Sequence, residues 1–397
     1  MQGIKLFKHQ QRAIELFPEK KYLAWEVGTG KTVGALAICK YHGFDKILVV
    51  APRSAHVSWQ NDNRYFNLDI EIATYERFRD KINNFSSFDI VIFDEAHRLS
   101  YTKTKWTRKA IQLREDRKIR EVLLLSGTPI DMYQKLYAQI KVINPYDEMF
   151  QKLKSYTAFL NHYFLFEGYF KPRLVWAPEG YYRFISYHYK PIGLLRPEFK
   201  QELKEWFEKY AYIVKREDAV ELPPLQEITV ELKKVRLEHD ISNYDLANFI
   251  KKYQTSSLTK EKLEYVLDFI EENPNTIVFS LFVDFVKMLQ DKLKNKAYFI
   301  TGSTPAEYRM QVIERQDKPI ISTYVMSEGA NLQRGYKNIV FASLPLKYIE
   351  LEQAIGRVYR AGQDRKVALY YLLKNDIDKT VLNILKRKQN VVEYLRG

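Results

Sequence analysis

The feature that most constrains the fold of this chain is a recurrence of short apolar runs rich in β-branched residues. One series lies at 22–25, 47–51, 70–74, 90–93 and 122–126, and a second at 277–280, 298–301, 320–323, 339–342 and 367–372. The runs are too short for helices, and most show no alternation with polar residues, so both faces of each must be covered. That is the pattern of buried parallel strands joined by crossovers, and helix-compatible or irregular segments separate most of the runs. The expected fold class is therefore α/β, with two parallel sheets in series. Between the series, Glu221-Leu222-Pro223-Pro224 breaks any helix and forces an extended chain. It is the expected hinge between an N-terminal lobe, 1–223, and a C-terminal lobe, 224–397. Within the first lobe, 156–189 is unusually aromatic, and Pro178-Glu179-Gly180 separates 173–177 from 181–187 in the manner of a β-hairpin. Its aromatics serve either as a base-stacking surface or as a small core packed on the lobe; the second is favoured because aromatics dominate cores.

A length of 397 residues suits two to three domains, and 46% hydrophobic residues supply cores for them. The formal charge of +14 gives the surface a positive potential that favours polyanions. Charge alone leaves a nucleic-acid partner and no such partner evenly matched. Cys39 is the only cysteine, which excludes an intramolecular disulfide and a cysteine-rich zinc module. Met1 to Phe7 lacks the apolar run of a signal peptide, and no stretch of about 18 apolar residues occurs, so a soluble cytosolic chain with no membrane partner is expected.

Val27-Gly28-Thr29-Gly30-Lys31-Thr32 follows the first strand and precedes the helix-compatible run 33–41. Glycines let backbone amides curl around phosphate oxygens, Lys31 would reach the β and γ phosphates of a nucleotide, and Thr32 would ligate Mg²⁺. Trp25 stands where the usual pattern has its first glycine, and a plain glycine-rich turn is the competing reading. The strand 90–93 runs into Asp94-Glu95-Ala96-His97. Asp94 is placed to hold Mg²⁺ and Glu95 to orient or deprotonate an attacking water. Alone, such a pair reads equally as a solvated loop; its position after the phosphate loop gives it value. His97 has no second histidine or cysteine at ligand spacing, so it is expected to couple rather than bind metal. A third strand ends in Gly127-Thr128-Pro129. In the second lobe Arg357 and Arg360, three apart, are expected on one face of a helix, poised to meet the γ-phosphate when the lobes close. An exposed basic helix pairing elsewhere is the alternative.

The order of these elements resembles the SWI/SNF-type ATPases of helicase superfamily two over nearly the whole chain. Leu6-Phe7-Lys8-His9-Gln10 is similar to the adenine-reading glutamine motif. The loop WEVGTGKT at 25–32 stands where the family form reads DEMGLGKT. Ala51-Pro52-Arg53 through Trp59-Gln60, and Thr74-Tyr75-Glu76, resemble DNA-contact motifs. Residues 94–99 read DEAHRL and 125–130 read LSGTPI. In the second lobe 277–282 reads IVFSLF, 301–305 reads TGSTP, and 353–363 reads QAIGRVYRAGQ, the most branch-specific segment. Residues 212–224, YIVKREDAVELPP, resemble the segment leading into the second lobe. Ser327-Glu328-Gly329-Ala330-Asn331 departs from the family's paired glycines.

The resemblance implies two RecA-like lobes with an ATP site in the cleft between them, ATP and Mg²⁺ as ligands, and DNA as a sequence-independent partner. It implies nucleotide binding by Gln10, Val27, Gly28, Thr29, Gly30, Lys31, Thr32, Gly329, Arg357 and Arg360. Catalysis would rest on Lys31, Asp94, Glu95, Arg357 and Arg360, and metal binding on Thr32 and Asp94. His97, Thr128 and Gln353 would couple the sites, and Arg53, Thr74, Ser303, Thr304, Ser322 and Thr323 would contact backbone phosphates. Lys103, Lys105, Arg108 and Lys109 either line the track or form a solvated face. The expectation is a monomeric Mg²⁺-ATP-driven translocase on duplex DNA, of a compact bacterial or phage type, because 224–276 leaves little room for the insertions of chromatin remodellers. A strand-separating DNA or RNA helicase is the first alternative. A nucleic-acid-binding scaffold with a dead ATPase is the second, opposed by the retention of Lys31, Thr32, Asp94, Glu95, Arg357 and Arg360.

Overall fold

The computed structural model describes residues 4–82, 85–177, 180–232, 246–327 and 331–397, and of 167–177, 180–193, 246 and 327 the backbone alone. Strands β1 (Tyr22–Trp25), β2 (Lys46–Val50), β3 (Asp69–Ala73), β4 (Ile90–Asp94) and β5 (Glu121–Leu125) belong to the first sheet. Beyond a hairpin of β6 (Phe164–Ala177) and β7 (Gly180–Leu195), β8 (Ala211–Val214) completes it. The order is β3-β2-β4-β5-β1-β8, parallel throughout. The second sheet takes β9 (Leu225–Glu231), β10 (Thr276–Ser280), β11 (Tyr298–Ile300), β12 (Ile320–Thr323), β13 (Asn338–Phe341) and β14 (Val367–Leu373), in the order β11-β12-β10-β13-β14-β9, again parallel. These are two tandem RecA-like lobes.

The central strands β1, β4 and β10 are buried along their whole length. Each sheet separates two apolar clusters, with helices covering both faces. Full burial of a valine, leucine or isoleucine side chain contributes about 1.5–3 kcal/mol, so such strands are fixed by their position in the layer. The register sets Asp94 opposite Leu125, and Leu125 opposite Leu23. Three adjacent strands thus deliver their carboxyl ends, and the loops that follow, to one edge of the sheet, where open α/β folds bind ligands.

Three features exceed the sequence expectation. β8 and β9 extend the two sheets at β1 and β14. The hairpin is longer than 173–177 with 181–187, running over 164–177 and 180–195; Pro178 and Glu179 lie outside the described residues. Of its aromatic approach, Phe159, Tyr163 and Phe164 are buried in the first-lobe core. The helix Asp376–Arg396 begins in the second lobe's core through Ile377, Val381 and Leu385, and ends with Leu395 in the first lobe's. Among the described residues no helix is long and apolar enough to cross a membrane.

Candidate active site

The loop after β1 turns through Gly28 and Gly30, with φ of 89° and 81°, values that L side chains rarely adopt. Space forbids side chains there as well. A Cβ on Gly30 would lie 2.6 Å from Gln10 Nε2, and one on Gly28 2.8 Å from Arg360 Cβ. The helix Lys31–Tyr41 starts at Gly30 with no acidic residue in its first turn, so its free amides face the loop uncontested. Thr29 is buried and donates to the Glu26 carbonyl at 2.8 Å. Lys31 Nζ donates to the carbonyls of Trp25 at 3.0 Å and Glu26 at 3.2 Å. Burial lowers the Lys31 ammonium from its ordinary range, against the pull of Glu95 and Asp94. This cradle and this ammonium fit a polyphosphate chain.

The departure at Trp25 has a packing reason. Its fully buried ring lies over Gly34, where a Cβ would be 2.7 Å from ring carbons, and meets His9 edge-on at 4.8 Å. His9 Nε2 in turn lies 2.8 Å from the Thr29 carbonyl. Gln10 is buried and braces the same loop, donating from Nε2 to the Gly30 carbonyl at 3.0 Å and accepting from the Phe7 amide at 2.9 Å. The structure therefore gives the glutamine motif a bracing contact on the phosphate loop.

Asp94 ends β4 buried, its Oδ2 accepting from Trp59 Nε1 at 2.9 Å and its Oδ1 from the Glu95 amide at 2.9 Å. Burial and the adjacent Glu95 charge push the Asp94 carboxyl above the usual carboxylate range. Glu95 has a left-handed backbone, φ 51°. Its Oε2 lies 3.2 Å from His97 Nδ1. Burial would raise this carboxyl, but His97 and the charges of Lys31 and Arg357 outweigh it and hold Glu95 below its ordinary value. Thr128 is buried beside these two carboxyls, and its Oγ1 has no hydrogen-bond partner among the described residues. Trp59 was read from sequence only as part of a DNA-contact segment; its hold on Asp94 is a finding of the structure.

The second lobe meets this edge directly. Gln353 Nε2 donates to Glu95 Oε1 at 3.3 Å. Val27 fits between two glycines, since a Cβ on Gly127 or on Gly356 would lie 2.7 Å from its methyl carbons. The expectation that Arg357 and Arg360 share a helix face is corrected. The helix Tyr348–Ile355 ends at Gly356, and both arginines lie in the turn beyond it. Val27 of the first lobe approaches closely at this end, leaving no room for a side chain at 356. Arg357 is buried with its charge acting on Glu95, and Arg360 lies over Gly28 and donates to Asn331 Oδ1. Gly329 lies outside the described residues.

Comparison with known proteins fits this geometry. The SNF2-related domain matches residues 61–272, just over half of the chain, and the helicase conserved C-terminal domain matches 261–362. The chain belongs to the SNF2-related family. The SWI/SNF-related matrix-associated actin-dependent regulator of chromatin subfamily A-like protein 1 of Drosophila melanogaster is 26% identical over 417 residues, covering 92% of this chain and 52% of that protein. The uncharacterized ATP-dependent helicase YqhH of Bacillus subtilis is 22% identical, with 98% and 78% covered. The RNA polymerase-associated protein RapA of Haemophilus influenzae is 24% identical, with 88% and 42% covered. The chain thus spans about half the length of the first of these relatives.

In this SNF2-related chain the expected backbone-contact residues differ in what they can reach. Arg53 is exposed in the turn after β2, and Ser303 is exposed in the turn after β11. Thr74 caps the helix Tyr75–Asp80, accepting from the Arg77 amide at 3.2 Å, and Thr304 accepts from the Thr301 amide at 2.9 Å. Ser322 is corrected. It is fully buried at the carboxyl end of β12 and donates to the Thr323 carbonyl at 2.7 Å, which leaves no surface for a phosphate. Thr323 is buried as well. Of the basic cluster, Lys103, Lys105 and Arg108 are exposed, whereas Lys109 donates to the carbonyls of Arg79 and Ile82 and serves the fold.

Proposed function

We propose that this chain hydrolyses Mg²⁺-ATP between its lobes and uses the cycle to translocate along duplex DNA, remodelling DNA structures or protein–DNA complexes. The observation that carries this reading is the contact of Gln353 with Glu95, 3.3 Å across the two lobes. Glu95 is the carboxylate that would orient or deprotonate the attacking water, so lobe movement and chemistry share a residue. Lys31 and the amides of 28–32 hold the β and γ phosphates, and Arg357 and Arg360 approach the γ-phosphate from the second lobe. Mg²⁺, when bound, neutralises phosphate charge, and the Thr32 hydroxyl and the Asp94 carboxylate are the groups that would hold it. His97, against Glu95, and Thr128, beside it, pass the state of the site to the first lobe. One relative is named as a regulator of chromatin and another as RNA polymerase-associated, which supports work on DNA-bearing complexes.

Exposed Arg53 and Ser303, with Thr304 behind, suit contacts to one strand of an intact duplex without reading its bases. Affinity is then expected to show little sequence preference and to fall steeply with salt. Neutralising about five phosphates gives a log–log slope of roughly −4.5 by the rule of about −0.9 per contact. A flat salt dependence in anisotropy titrations removes the backbone-tracking reading.

The direct test is displacement of the third strand from a DNA triplex, expected to proceed with ATP, alongside failure to separate a tailed duplex. Strand separation needs a wedge, because unstacking costs on the order of a few kcal/mol per step. The only wedge the sequence offers is the hairpin of β6 and β7. Efficient unwinding of the tailed duplex, lost when Tyr181 and Tyr182 are changed to alanine, would replace the translocase reading with a helicase that uses the hairpin as a pin.

A further inference from the structure

The helix Asp376–Arg396 has 21 residues and spans roughly 31 Å at about 1.5 Å per residue. Its start is fixed in the second lobe. Asn375 caps it by accepting from the amides of Ile377 and Asp378, and Asp378 pairs at 3.0 Å with Lys262, whose side chain is wholly buried. Its last turn is fixed in the first lobe. Leu395 is 0% exposed in that core, and the Tyr394 hydroxyl donates to Gln201 Oε1 at 3.0 Å. In this arrangement the helix is held by both lobes at once.

Arg396 is the residue this helix delivers. It is 7% exposed; Nη1 donates to Glu26 Oε1 at 2.6 Å and Nη2 to the Gly127 carbonyl. The other oxygen of Glu26 accepts from the Arg216 amide at 3.1 Å, and Arg216 Nε donates to the Val27 carbonyl at 3.0 Å. The Arg216 guanidinium stands 5.3 Å from the ring of Tyr359, which lies between Arg357 and Arg360. One carboxylate at the root of the phosphate loop is thus shared by an arginine from each side. The Glu26 carbonyl accepts in turn from Thr29 and Lys31, so the seat of Glu26 sets where the lysine stands. A buried ion network of this kind is a poor source of stability, since apolar packing of the same volume serves as well or better. Its value lies in fixing position.

We infer that Arg396 is a positioning residue for the phosphate loop, and that ATP turnover depends on its contact with Glu26, to which the last turn of the C-terminal helix delivers it. The inference rests on ATP turnover and not on which polymer is tracked. The test measures kcat and KM for ATP, with and without duplex DNA, and Tm, for Arg396→Ala, Arg396→Lys, Glu26→Gln, the Glu26→Gln/Arg396→Ala pair and Leu385→Ala. Arg396→Ala is expected to lower kcat about tenfold at a temperature where it is fully folded, with lysine recovering part of the loss. The double variant is expected to lose no more than the worse single, as for residues acting through one contact. Leu385→Ala removes buried methyl groups from the same helix far from the arginine; it is expected to lower Tm and keep its turnover. Should Arg396→Ala not fold, Arg396→Lys set against Glu26→Gln carries the same comparison. Wild-type kcat in Arg396→Ala, additive losses in the pair, or an equal loss in Leu385→Ala overturns the inference. An effect of Arg396 seen without DNA supports it even where duplex fails to stimulate, which separates its failure from that of the translocase reading.

Discussion

Lys31→Ala and Glu95→Gln are each expected to lower ATP turnover by about 10³-fold or more, with fold and DNA affinity nearly unchanged. By the transition-state relation this is about 4 kcal/mol of barrier. Lys31 stands among backbone carbonyls with its pKa lowered by burial, against the opposing pull of the Glu95 and Asp94 carboxylates. Alanine removes the ammonium that the loop itself supplies and leaves its amides of 28–32 to face the phosphate charge from the first lobe. Glu95→Gln is the sharper case because the shapes match. Its amide oxygen still accepts from Gln353, and the left-handed backbone at 95 is unchanged. Only the negative charge facing His97, Lys31 and Arg357 is lost, and with it the group proposed to activate water. Neither residue lies on the exposed turns of Arg53 and Ser303, so DNA affinity by anisotropy is expected to persist. Near-normal steady-state turnover in Glu95→Gln would reassign the water-orienting role.

How much of this was legible depends on where each residue sits. β1, β4 and β10 were read correctly because both faces are buried, so composition alone identifies them. β9, Leu225-Gln-Glu-Ile-Thr-Val-Glu, is an edge strand largely open to solvent; its polar residues carry no burial signal, and only pairing with β14 makes it a strand. β8 follows the helix Lys200–Tyr210 without a break, which hid its start. The loop glycines were legible because their requirement is local, a positive φ within one motif. Gly356 was not, because what forces it is Val27 of the other lobe. Ser322 was expected at a phosphate from its place in the family resemblance and its hydroxyl chemistry, but the end of β12 is interior. Arg396 lies 370 residues from the carboxylate it holds, and no spacing rule in one sequence links the two.

Arg357→Ala and Arg360→Ala are expected to lower kcat by about 10³-fold or more while ATP binding changes little, the signature of groups that act on transition-state charge. The two stand differently toward the site. Arg357 is buried and its charge already acts on Glu95, the carboxylate proposed to orient water. Arg360 lies over Gly28 of the phosphate loop and donates to Asn331. Both follow Gly356 in a turn held against Val27, which ties their placement to contact between the lobes. A ground-state role would take the same energy from substrate and transition state, raising KM with kcat unchanged. A role confined to the closed arrangement takes it from kcat alone. Neither side chain belongs to the apolar clusters of the second lobe, so Tm is expected to hold in both variants. The measurement is nucleotide affinity by equilibrium titration beside single-turnover hydrolysis. Parallel losses of affinity and rate would make these arginines ordinary phosphate-binding residues and leave transition-state charge to Lys31 and the loop amides.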